Sequence, residues 1–272
     1  MRTALTIAGS DSGGGAGIQA DLKTFAAYGV FGASAITAIT AQNTTGVVAV
    51  APLSADLVTA QIEAVAGDIA IHATKIGMLA TTAIVEAVAA AVEDLDLPLV
   101  VVDPVIASST GERLLDADAV QALCRELLPL ARVVTPNIPE AEALGGRRIR
   151  SVADAREVAR RIQDLGPKAV VITGGHGAHV TSRKSQVASP VVTDLLLDGD
   201  TWTEFAVERV ASPPTHGTGC TYASAIAASL ALGRTLAEAA RDAQPFVAGA
   251  IRLAAPVGRG RLPLNHFWRW TA

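Results

Sequence analysis

Short apolar runs alternate with helix-spaced stretches along this chain, and that alternation leaves few folds open. The runs are Thr3–Ala8, Ala33–Thr40, Val47–Ala51, Ala73–Met78, Leu99–Val105, Arg132–Thr135 and Lys168–Thr173. Leu99–Val102 is continuously apolar before Asp103, as a strand buried on both faces of a parallel sheet must be. Helices are expected over Ile18–Tyr28, from Ser54 to about Ala66, from Thr81 to about Val92, from Asp116 to about Leu128, and after Ser151. Ile18, Leu22 and Phe25 share one stripe of the first, and Gly29 stops it. The pattern predicts a three-layer α/β/α sandwich on a doubly wound, mainly parallel sheet. With 272 residues, 50% of them hydrophobic, one domain over residues 1–272 accommodates the core.

Late in the chain the pattern changes. Val191–Leu197 and Thr201–Phe205 flank Asp198-Gly199-Asp200 and read as a β-hairpin. With the polar stretch Thr181–Gln186 before it, this segment is expected either as a small flap over a nucleotide or as a surface excursion. Two further helices follow, one to about Leu232 and one from Thr235 to about Leu253.

A net charge of −4 argues against nucleic acid as a partner. Arg147-Arg148-Ile149-Arg150 is a short basic run that reads as a solvated loop. Two cysteines, Cys124 and Cys220, give neither a disulfide framework nor a zinc pattern, which fits a reducing cytoplasm. The N-terminus turns into Gly9-Ser10-Asp11 too soon for a signal peptide, and no apolar run reaches membrane-spanning length.

Ligands of doubly wound sheets bind beyond the carboxyl ends of the strands. Asp11, Gln42, Met78, Asp103, Asn137, Glu140 and Gly174-Gly175 all fall there. Gly9–Gly17 holds five glycines and reads as a flexible loop. It lacks the Gly-Lys-Ser/Thr of a P-loop. A dinucleotide fingerprint on Gly15, Gly17 and Ala20 would need an acid ending the next strand, where Gln42 stands instead. An amide there offers a donor and an acceptor, the pattern of an aminopyrimidine edge, although a polar loop residue reads the same way.

Thr215-His216-Gly217-Thr218-Gly219-Cys220 runs into a helix-compatible stretch of small residues. A glycine turn opening a helix presents unpaired N–H groups and a favourable dipole to an anion. Cys220 at its mouth is a candidate proton acceptor, because a helix N-terminus lowers a thiol pKa; a buried, inert Cys is the plainer alternative. Asp103 and Glu140 suit a hard cation such as magnesium, and Asn137 adds an oxygen or a phosphate contact. Taken singly, Asp103 also reads as a helix cap, Glu140 as a first-turn acid and Asn137 as an Asx turn.

Asn137-x-x-Glu140 with Gly217-Thr218-Gly219-Cys220 resembles the ribokinase superfamily, and Cys in place of its usual last Asp resembles the vitamin kinase branch. Within that branch the chain is similar to the hydroxymethylpyrimidine/phosphomethylpyrimidine kinases. The matching stretches are Ala4–Asp11, Gly14–Lys23, Thr37–Thr44, Thr74–Leu79, Thr135–Ala141 and Asn265–Trp268. The resemblance implies a ribokinase-like fold and two ATP-dependent phosphorylations of 4-amino-5-hydroxymethyl-2-methylpyrimidine, giving the diphosphate used to build thiamine. It implies that Gln42 reads the pyrimidine, that Gly9, Ala16, Met78 and Val105 wall the ring, and that Asp21 lies near it. Cys220 would be the base, with Gly217, Thr218 and Gly219 as the anion hole. Asp103 and Glu140 would serve magnesium, and Asn137, Thr173, Gly175 and His216 the nucleotide.

The resemblance further implies a cytoplasmic homodimer without a separate lid domain. Thr173 stands where the family often has Lys, so a phosphate contact is weakened or passes to Arg183 or Lys184. Ser12-Gly13 replaces the family's usual Pro-Ser. A pyridoxal or pyridoxine kinase on the same scaffold is the rival reading, and a non-catalytic pyrimidine-binding protein a third.

Overall fold

The computed structural model describes residues 1–107, 114–174 and 191–270. The chain opens with β1 (Thr3–Asp11), α1 (Gly17–Ala27), β2 (Phe31–Asn43), β3 (Gly46–Pro52) and α2 (Ala55–Ala66). It continues through β4 (Ala73–Ile76), α3 (Thr82–Asp94), β5 (Val100–Val102), α4 (Ala117–Ala122), β6 (Val133–Val134), α5 (Ile138–Gly145), α6 (Val152–Gln163) and β7 (Ala169–Ile172). It closes with β8 (Val191–Asp198), β9 (Thr201–Glu208), β10 (Thr215–His216), α7 (Thr218–Ala231), α8 (Leu236–Arg252) and β11 (Leu262–Pro263).

Nine strands form one sheet in the order β3-β2-β1-β4-β5-β6-β7-β8-β9. Pairings from β2 across to β7 are parallel, and β3, β8 and β9 add antiparallel edges. Alternate residues of each strand feed opposite faces, as the two-residue period requires. Leu5, Ile7, Val100, Val102, Val134 and Val170 meet α2 to α6 on one side. Ala4, Val101, Val133, Ala169 and Val171 meet α1, α7 and α8 on the other. The three layers expected from the sequence are therefore present. From β1 the chain moves outward to β2 and then returns to β4 on the far side of β1, so a topological switch point lies between β1 and β4.

Local chemistry sets the helix starts. The side chains of Ser54, Thr81, Ser151 and Thr235 each accept the backbone N–H three residues on. Such a cap contributes roughly 0.5–2 kcal/mol. Asp116 occupies the expected cap position of α4 but its side chain makes no cap bond, and after Ala122 the helix widens into a π-turn over Leu123–Leu127. The basic run after α5 is solvated as expected, with Arg147 paired to Asp154 at 2.8 Å.

Two expectations are corrected. The hairpin is not a separate flap: β8 anneals to β7, with Ile172 opposite Leu195 and Ala169 opposite Asp198, so it extends the main sheet. The glycine loop is not loose. The carboxylate of Asp11 gathers the N–H groups of Gly13 at 2.8 Å, Gly15 at 3.0 Å and Ala16 at 2.8 Å. Gly175, Arg183, Lys184 and the rest of Thr181–Gln186 lie outside the described residues.

Candidate active site

A cavity of about 850 Å³ opens beyond the carboxyl ends of the parallel strands, at the switch point. Its lining includes Gly9 near the end of β1, Gln42 at the end of β2, Met78 after β4, Asp103 and Val105 after β5, Asn137 and Glu140 around the start of α5, and Thr173 after β7. Ala16 and the segment His216–Cys220 also face it. Fourteen residues expected at the site are thus gathered on one cavity. Two are not: Gly175 is outside the described residues, and Asp21 does not line the cavity.

Asp21 lies beneath the floor, fully buried. It pairs with Lys75 at 2.9 Å and accepts the hydroxyls of Thr6 and Ser224 at 2.6 Å each. Lys75, itself fully buried, is the member of the pair that lines the cavity. Burial alone would push its ammonium down, but the carboxylates of Asp21 and Asp103 help to offset this and hold it charged. Sequence reading passed over Lys75, because one Lys in the strand Ala73–Ile76 carries no spacing signal. A lysine inside a run otherwise fit for burial was the available clue.

Gly217 caps α7 with φ 89°, and a Cβ there would overlap the carbonyl oxygen of Gly15. The anion loop and the Asp11-ordered glycine loop are therefore in direct contact, and only glycine fits. The first-turn N–H groups of α7 have no partner within the helix and face the cavity mouth. Burial pushes the Cys220 thiol up to about 12; Lys75 pulls it down, and the carboxylates of Asp103 and Asp21 add to the rise. The lowering expected from the helix N-terminus is therefore outweighed: the half-buried Cys220 rests as a thiol, with Asp103 close enough to act on it.

Asn137 and Glu140 form a reciprocal capping box on α5, each backbone N–H donating to the other's side chain at 3.0 Å. The plain readings of both residues thus hold locally, and Glu140 still faces the cavity. Burial and then the nearby Asp103 push its carboxyl up to about 8. Burial also lifts Asp103, to about 6, against the pull of Lys75. Thr173 bridges to Asn137 and donates its N–H to Pro136. Asp194 of β8, absent from the sequence reading, reaches the cavity wall, accepts the N–H of Gly174 at 2.8 Å and is pushed up by burial to about 6.

His216, expected with the nucleotide set, lies against Gln42 and Asp11, its Nε2 2.8 Å from the Gln42 amide nitrogen and 3.2 Å from Asp11 Oδ2.

Residues 11–265 match the family model described as phosphomethylpyrimidine kinase. The chain belongs to that family. It is a kinase, a phosphotransferase with a ribokinase-like vitamin-kinase fold. It is 49% identical over 272 residues to hydroxymethylpyrimidine/phosphomethylpyrimidine kinase of Rhizobium meliloti, covering 98% of this chain and 97% of that one. Among solved structures it resembles an ADP complex of Bacillus subtilis pyridoxal kinase (TM-score 0.88, 38% identity, 100% of both chains). It also resembles phosphomethylpyrimidine kinase from Clostridium difficile (TM-score 0.79, 41% identity, 92% of this chain and 100% of that one). Among the described residues no helix is long and apolar enough to cross a membrane.

Proposed function

We propose that this chain, as one kinase domain, transfers the γ-phosphoryl group of ATP to the hydroxymethyl oxygen of 4-amino-5-hydroxymethyl-2-methylpyrimidine. It then phosphorylates the monophosphate to the diphosphate used to build thiamine. The carrying observation is that Gln42 and the anion-binding start of α7 open onto one cavity. A donor–acceptor amide suits the aminopyrimidine edge. Oriented N–H groups beside it suit a phosphoryl group whose charge grows on its equatorial oxygens.

In the first transfer the substrate oxygen attacks the γ-phosphorus and the bond to ADP breaks. The hydroxyl proton passes to Cys220 Sγ, whose own proton goes to Asp103, ionised at neutral pH with its pKa of about 6. Lys75 stabilises the negative charge that crosses this floor.

Asp103 and Glu140 fit magnesium. Both are hard oxygen donors, and a cation held by them would offset the upward push that burial and Asp103 exert on Glu140. When bound, it neutralises phosphate charge.

Asn137 and Thr173 are read as contacts to the nucleotide side of the cavity. We read the chain as a cytoplasmic homodimer, for which the edge strand β3 offers a surface with Val48 and Val50 exposed.

The test is a product assay with ATP, magnesium and the pyrimidine, resolving mono- from diphosphate, beside pyridoxal. Both pyrimidine phosphates are expected, and Cys220→Ala is expected to lower kcat by roughly 10²–10⁴. The second reading, a pyridoxal kinase, is favoured by the higher TM-score to the Bacillus subtilis enzyme. Pyridoxal turnover without pyrimidine turnover would establish it.

A further inference from the structure

The polar network at the pyrimidine end has more neighbours than hydrogens, and counting them selects one arrangement. Asp11 Oδ2 accepts the N–H groups of Gly15 and Ala16 and lies 3.2 Å from His216 Nε2. Burial would raise this carboxyl, but three backbone N–H groups, of Gly13, Gly15 and Ala16, are aimed at it and hold it ionised, its pKa lowered overall. An ionised carboxylate only accepts, so His216 Nε2 must carry a hydrogen.

That same nitrogen lies 2.8 Å from Gln42 Nε2. Two N–H groups cannot face each other at that distance, and amide oxygen and nitrogen are assigned by the partners they meet. Turning the amide by half a revolution puts Gln42 Oε1 on His216 Nε2–H. It also puts the NH₂ group at the position 3.3 Å from Thr40 Oγ1. The single Thr40 hydroxyl hydrogen is engaged by Ser10 O at 2.9 Å, so Oγ1 is free to accept. His216 Nε2–H is then shared between Gln42 Oε1 and Asp11 Oδ2, one Gln42 N–H meets Thr40 Oγ1, and the Thr40 hydroxyl keeps Ser10 O. In the opposite rotamer a bare Nε2 faces a carboxylate, and the Thr40 hydrogen is claimed twice. The Gln42 backbone cannot drift to escape: it exchanges two hydrogen bonds with Ser12 Oγ, at 2.7 and 2.8 Å.

We propose that His216, oriented by Asp11, is a positioning residue that locks the Gln42 carboxamide with its oxygen toward the imidazole, and so sets the pocket's selectivity for an aminopyrimidine edge. The locked amide keeps one N–H for a ring nitrogen and one lone pair of Oε1 for the adjacent exocyclic amine. This rests on the reading of the cavity as a pyrimidine site.

The test compares the aminopyrimidine with its analogue lacking the 4-amino group, in wild type, His216→Ala, His216→Asn and Gln42→Ala. His216→Ala is expected to raise KM for the aminopyrimidine about tenfold and for the analogue under about twofold, because only the former loses an oriented partner. Turnover should fall less than KM rises. His216→Asn, which retains an N–H donor, is expected to recover part of the selectivity. Equal KM changes for both substrates would overturn the proposal.

An independent readout on the unmodified protein is the ring-nitrogen NMR spectrum of His216. Hydrogen on Nε2 is expected, and a bare Nε2 would overturn it. Gln42→Ala separates the two levels. If it leaves KM for the aminopyrimidine unchanged, the pyrimidine reading itself falls. If it abolishes selectivity while His216→Ala does not, only the role of His216 falls.

Discussion

At the end of the cavity where we place the pyrimidine, Asp11 faces three backbone N–H groups and a ring nitrogen. At the end where we place the phosphates, Glu140 lies near Asp103, and both carboxyls are pushed above their ordinary range. Both acids are buried, yet one is saturated with donors, while the other, despite its capping-box bond to Asn137, also has a second carboxyl close by. A saturated carboxylate holds its loop in place before any ligand arrives. A repelled one stores a cost that binding of a cation relieves. The first arrangement suits a neutral ring read by shape and hydrogen bonds, and the second suits a polyphosphate that brings its own counter-ion.

Substitutions at the two ends should therefore move stability in opposite directions, while the shared floor should move it most. Lys75→Met leaves Asp21 buried without its cation, which typically costs about 3–5 kcal/mol. Denaturant unfolding should show that loss. A change near zero would mean that Thr6 and Ser224 satisfy Asp21 unaided.

Asp11→Asn comes next. Its amide still accepts from one side, but its NH₂ meets one or more of the N–H groups of Gly13, Gly15 and Ala16. A destabilisation of about 1.5–3 kcal/mol is expected, with faster hydrogen exchange over residues 12–16.

Glu140→Gln should do the reverse. Its folded-state pKa is raised, so between about 4.5 and 8 the native state binds more protons than the unfolded chain, and stability falls as pH rises. Removing the charge should add about 1–2 kcal/mol at pH 8, or about 2–8 °C in Tm, and much less at pH 5. Gln preserves the capping box with Asn137. Phosphoryl transfer should fall in the same variant, and a Tm unchanged at both pH values would remove the strained pair from the account.

These contrasts also mark where the sequence was legible. The layers, the strand-end position of the cavity and the Gly217–Cys220 turn followed from period and spacing, since each is a local pattern. The charge state of Cys220 did not. Its helix N-terminus is local and argues for a thiolate, whereas the burial and the neighbouring Asp103 that overturn this come only with the fold. The pairing of Asp21 with Lys75 was not legible for the same reason: Asp21 was expected near the ring and Lys75 passed over, because the pair spans two distant strand–helix units. The hairpin was found by its Gly199 turn, but its annealing to β7 depends on an edge that no local signal reveals.

The most direct test of the contrast is calorimetric titration at pH 7 in two buffers of different ionisation enthalpy, with preformed magnesium–ATP and, separately, with the pyrimidine. Glu140, with its pKa of about 8, is mostly protonated at that pH, so magnesium–ATP should release a substantial fraction of a proton. The pyrimidine, binding at the saturated end, should release almost none. Equal proton release by the two ligands, or none with magnesium–ATP, would contradict the account.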